Sequence, residues 1–125
     1  MKSSFAVLVG LFAATISAAP AITTTVTVQL TNDLTGASGT TTVVADGTER
    51  SISSLFGNSG IAVNGQVLAT SAQLTAFPQG VFCIIQNAGQ NVGIFNFKKT
   101  FADLDGNPDA AIPQNLSGAI LNCQV

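Results

Sequence analysis

The chain has 125 residues, six acidic against four basic side chains, a net charge of −2, and no histidine, tryptophan or tyrosine. Without histidine, the usual general base near neutral pH and the commonest metal ligand are both missing, and neither a Ser–His nor a Cys–His catalytic set can be assembled. The cations are too few and too scattered for binding to a phosphate backbone, so neither nucleic acid nor an anionic membrane is an expected partner.

Lys2 is the only charge in the first 32 residues, and the uncharged apolar run Phe5 to Ile16 follows it. Small residues Ser17, Ala18 and Ala19 come next, ahead of Pro20. A basic tip, an apolar stretch and a small-residue cleavage zone are the three parts of a secretory signal. Spanning a bilayer needs about 20 apolar residues, and this run is shorter. Residues 1–18 are therefore expected to be a signal peptide cut between 18 and 21, after Ala18 or Ala21. Cutting after Ala19 would place Pro20 first in the product. The remaining residues, 22–125, are expected to form a single secreted, extracellular β domain with no membrane association.

That part keeps two cysteines, Cys83 and Cys123. In an oxidising compartment an even count reads as paired, and two cysteines allow one connectivity. Two thiols without histidine make an incomplete zinc set.

Along the chain, Thr25 to Thr31 alternates polar and apolar, which puts Val26, Val28 and Leu30 on one face of a strand. Asn32 to Gly39 is turn chemistry, and Thr40 to Ala45 is a β-branched strand ending at the turn signal Asp46-Gly47. Ser51 to Phe56 reads as a short strand or a single helical turn. Asn64-Gly65, between Ile61-Ala62-Val63 and Gln66 to Ala69, predicts a two-residue type I′ hairpin. Gln73 to Phe77 is a further strand, and Val81 to Ile85 is an apolar run suited to a central one. After a turn at Asn87 to Asn91, Val92 to Phe97 alternates again, with Phe95 and Phe97 on one face and Ile94 on the other. Thr100 to Leu104 and Ala119 to Cys123 complete the set. Eight or nine short strands with frequent turns predict an all-β fold, a small antiparallel β-sandwich or barrel whose disulfide ties the Cys83 strand to the last one.

Candidate chemistry is sparse. No Gly-x-Ser-x-Gly elbow is present, and the acids lie mostly beside Gly or Asn in turns, so no catalytic residue is assigned. The densest polar cluster is Asp103, Asp105, Asn107 and Asp109, with oxygen ligands at every second residue as at the start of a calcium loop. It departs from the EF-hand form, because Gly106 stands fourth rather than sixth and no Glu stands twelfth. A weak calcium site is one reading; a turn held by local Asp/Asn hydrogen bonds is the other, and the preferred one. Calcium is the one cofactor the sequence suggests. Asn115-Leu116-Ser117 is an N-glycosylation sequon on an expected loop. Sugar platforms usually rely on exposed Trp or Tyr, so only an exposed Phe is left to provide such a surface here.

Val26 to Asp33 with Thr35-Gly36, then Asp46-Gly47, Leu55-Phe56-Gly57, Asn64-Gly65 and Ala69 to Leu74, with one mid-chain and one late cysteine, resemble the small secreted proteins of filamentous fungi. Some of those proteins are effectors or elicitors of plant responses. The resemblance covers nearly all of residues 22–125, and implies a single-disulfide β-sandwich with no catalytic residues. It suggests a non-enzymatic protein that acts by surface recognition at a host or cell-wall interface, as a monomer or weak homo-oligomer. The alternative is a structural or ligand-binding cell-wall protein, with the calcium site above.

Overall fold

A computed structural model describes residues 24–107 and 109–125. The expected signal and its cleavage zone lie outside the described residues. The fold is all-β, with eleven strands, one short helix and one disulfide among the described residues.

The first four-stranded sheet runs in the order β2-β1-β6-β9: β1 is Thr25–Asn32, β2 Ala37–Val44, β6 Ser71–Ala76 and β9 Phe101–Asp103. The second runs β3-β11-β7-β8, formed by Asp46–Ser51, Ile120–Gln124, Phe82–Asn87 and Gln90–Asn96. A third, small sheet joins β10 (Gln114–Asn115), β5 (Gln66–Ala69) and β4 (Ala62–Val63). All pairings are antiparallel.

Alternation builds the core. Val26, Val28 and Leu30 are buried from β1, and Ala72 and Leu74 from β6; Cys83, Ile85, Phe95, Leu121 and Cys123 join them from the other four-stranded sheet in one cluster. The sandwich form and the expected faces of β1 and β8 hold: Phe95 is buried, whereas Ile94 is 47% exposed. Each fully buried Leu, Ile or Phe contributes about 1.5–3 kcal/mol from apolar burial. Val81 to Ile85 does supply a central strand, since β7 lies between β11 and β8. Cys83 and Cys123 stand opposite each other in the β7–β11 register, bonded, with Cα atoms 4.1 Å apart.

Two local expectations change, and one open reading is decided. Asp46-Gly47 is not a hairpin turn: Gly47 (φ +83°) lies within β3, where the chain has left the first sheet for the second. The β3–β11 register slips there, the signature of a bulge. Ser51 to Phe56 resolves as a helical turn, α1 (Ile52–Phe56), whose N-cap Ser51 Oγ accepts from the Ser54 amide while Ile52 and Phe56 are buried. Among the described residues the strand count is eleven rather than eight or nine, because β3 runs where a turn was expected and β10 is a two-residue strand that only its partner defines. The hairpin at Asn64-Gly65 is as expected, with φ +51° and +79°, as a type I′ turn requires.

Candidate functional site

The site starts from β9. It pairs with β6 so that Ser71 opposes Asp103 and Gln73 opposes Phe101. Ala72, Leu74 and Ala102 point into the core, so Ser71, Phe101 and Asp103 stand on the outer face of the first sheet. Phe101 is 50% exposed there, yet Ser71 on the same face is only 6% exposed.

Thr70 ties the end of β1 to this corner. Its amide donates to the Thr31 carbonyl and its carbonyl accepts from the Leu104 amide, both at 2.8 Å. Its hydroxyl donates to Asp33 Oδ2 at 2.8 Å and accepts from the Asp33 amide at 3.1 Å. Asp33, 70 residues before Asp103 in the chain, is thereby fixed beside the acidic segment.

That segment is a run of Asx turns. Asp103 Oδ1 accepts from the Asp105 amide at 3.3 Å, Asp105 Oδ1 from the Asn107 amide at 3.0 Å, and Asn107 Oδ1 from the Asp109 amide at 2.9 Å. Asp105 Oδ2 accepts from the Ile112 amide at 2.8 Å. Gly106 takes the left-handed conformation (φ +67°) that this winding needs. The turn held by local hydrogen bonds is therefore present.

Asp33, Thr70, Ser71, Phe101, Asp103, Asp105, Asn107 and Asp109 line one cavity of about 490 Å³. Four of the chain's six carboxylates meet there, and no lysine or arginine is among its lining residues. The neighbouring Asp105 carboxyl raises the Asp103 pKa, helped by desolvation and by the negative charge of Asp33. The Asp103 carboxyl beside it, then the Ile112 and Asn107 amides, lower the Asp105 pKa.

The cations lie elsewhere. Arg50 pairs with Asp46 at 3.2 Å, the one salt bridge among the described residues. Lys98 lies 5.6 Å from the Phe97 ring centre, and Lys99 lines a smaller neighbouring depression of about 290 Å³ that also touches Asp103. Among the described residues, no group of three or more His, Cys, Asp or Glu side chains is arranged to hold a metal ion.

Asn115, the sequon residue, is exposed on β10, and its Oδ1 accepts from the Ser117 amide at 2.9 Å. The Ser117 hydroxyl accepts from the Val67 amide at 3.1 Å.

The structure brings together the four expected residues Asp103, Asp105, Asn107 and Asp109, and adds Asp33, Thr70, Ser71 and Phe101. Nothing local in the sequence marks those additions; pairing of β1 with β6 and β6 with β9 assembles them. Compared with known proteins, the chain matches no family model, no curated protein and no solved structure.

Proposed function

We propose that the chain is an exported, non-enzymatic protein that acts by surface recognition, effector- or elicitor-like at a host or cell-wall interface, and that the acidic cavity is its recognition site. The observation that carries this is the gathering of four of six carboxylates around one concavity beside a half-exposed Phe101. A chain this poor in charge concentrates it at one place, and concave sites with a few convergent polar groups are the usual form of a binding site. Two features favour binding over catalysis. Asp105 spends both oxygens on backbone amides. Asp103 and Asp105 are neighbours in one Asx turn rather than facing across a cleft, as a glycosidase pair at about 5–10 Å must.

The test is infiltration of purified residues 22–125 into leaf tissue, with Asp33→Asn/Asp109→Asn beside it. A response to the parent protein that the double variant weakens supports the reading. No response to either, at doses where known elicitors act, overturns it.

A second reading, a cell-wall protein holding calcium at Asp103, Asp105, Asn107 and Asp109, draws on the same cluster. Calorimetric titration with calcium chloride should then give saturable heat that Asp109→Asn diminishes, and a flat trace removes it.

A further inference from the structure

The sequon Asn115-Leu116-Ser117 stands apart from the acidic cavity, since none of its three residues lines it. Asn115 is exposed on β10, whereas Leu116 beside it is fully buried. The Asn115 Oδ1 turns back to the Ser117 amide at 2.9 Å, which leaves Nδ2 as the branch of that amide not folded onto its own backbone. An exposed Asn can carry a bulky, solubilising oligosaccharide on the surface without disturbing the core.

Attaching one is a different matter. A sequon is read as three residues, an Asn, any residue but Pro, and a hydroxyl residue, inside another protein's active site. Here the fold holds all three. The Leu116 amide donates to the Val67 carbonyl at 2.8 Å, and its carbonyl accepts from the Ala119 amide at 3.0 Å. Ser117 Oγ accepts from the Val67 amide at 3.1 Å, and the Ser117 carbonyl accepts from the Ser53 hydroxyl. The Asn115 carbonyl accepts from Asn87 Nδ2 at 3.1 Å, and β10 pairs with β5. Drawing the tripeptide into a transferase would break these bonds and empty the place of Leu116 in the core.

We propose that Asn115 is N-glycosylated and that folding closes the site: the sugar is added to the unfolded chain and then carried on the folded surface. The donor is an oligosaccharide joined to a lipid pyrophosphate. Asn115 Nδ2 attacks the anomeric carbon and forms a C–N bond. The bond from that carbon to the pyrophosphate oxygen breaks, the lipid pyrophosphate leaves with the electron pair, and the Nδ2 proton passes to a carboxylate of the transferase. The inference rests on export, because an exported chain is the one that meets this donor. The sequon lies between Cys83 and Cys123, so forming the disulfide helps to close the site.

The experiment offers two forms of residues 22–125 to a purified oligosaccharyltransferase with its lipid-linked donor. One is folded with the disulfide intact; the other is reduced and alkylated, which bars refolding because both cysteines are buried. Mass spectrometry should find one glycan on the alkylated chain, mapped to Asn115, and addition to the folded chain at least about tenfold slower. In the alkylated chain, Ser117→Ala should abolish addition and Ser117→Thr should keep it, readouts that owe nothing to folding. A second arm expresses the full chain in a secreting yeast, where peptide N-glycosidase should release a glycan from the exported protein.

An alkylated chain that takes no glycan overturns the inference. A folded chain modified as fast as the alkylated one overturns the closure, and addition that survives Ser117→Ala overturns the assignment to this sequon. Exported protein without a glycan overturns the inference and leaves export standing. A full chain retained inside the yeast overturns the export reading itself, whatever the purified transferase does.

Discussion

Replacing both cysteines, Cys83→Ala/Cys123→Ala, should destabilise the domain severely. The bond joins residues 40 apart in sequence, and in the chain-entropy model closing such a loop removes unfolded-state freedom worth about 4 kcal/mol. Both sulfur-bearing side chains are buried, at 0% and 1% exposure, so truncation also leaves a void in the β7–β11 layer. Typical domains have about 5–15 kcal/mol in total, so the variant sits near the threshold. At about 4–8 °C per kcal/mol for a domain of this size, the melting temperature should fall by roughly 15–30 °C. Differential scanning calorimetry under non-reducing conditions measures it. Parent protein unfolded and reduced with dithiothreitol, then refolded with the thiols blocked, supplies the second arm. Cys83 and Cys123 are already neighbours in the β ladder, so a rival view gives the bond little to add. A double variant melting within about 3 °C of the parent would refute the entropic reasoning and favour that view.

Asp46 is held down to about 2 by the Thr48 amide and by Arg50. A carboxylate with a lowered folded-state pKa adds stability above its ordinary value of 3.8 and loses it as pH falls from there toward 2. Asp46→Asn should flatten the fall in melting temperature between pH 4 and 2, followed by circular dichroism; an unchanged slope counts against the assignment. Gly93 opposes Ile85 in β8, and a Cβ there would come within 2.6 Å of Leu104 Cδ2. Gly93→Val should therefore cost about 1–3 kcal/mol through overpacking, measured by urea denaturation. A neutral result would mean that the β8–β9 edge yields easily. At the hairpin, Gly65 has φ +79° and open space around it. Gly65→Ala should cost about 1–2 kcal/mol from conformation alone, with D-alanine at that position restoring stability.

Much of the architecture was legible because it follows from period and turn chemistry. Val26, Val28 and Leu30 face one way because strand side chains alternate, and burial agrees with that pattern. Asn64-Gly65 announces its turn because few residue pairs tolerate two positive φ angles. The corner at Gly47 was harder to read. Asp-Gly suits a hairpin, yet β3 pairs with β11, and no local signal in Asp46 to Ser51 specifies a partner some 75 residues away.

The same division separates the parts of the candidate site. The sequence alone determined the Asp103–Asp109 cluster, since Asx turns are made by residues two apart, and it determined the scarcity of cations around it. Tertiary structure alone decided that Asp33 joins them. That requires β1 to pair with β6 and the Thr70 hydroxyl to hold the carboxylate. It also decided that Ser71, outward by strand alternation, lies buried in a cavity rather than in solvent. Local chemistry acts between near neighbours and is written in sequence. A cavity is the space left between distant segments, and it exists only once long-range pairing has brought them together.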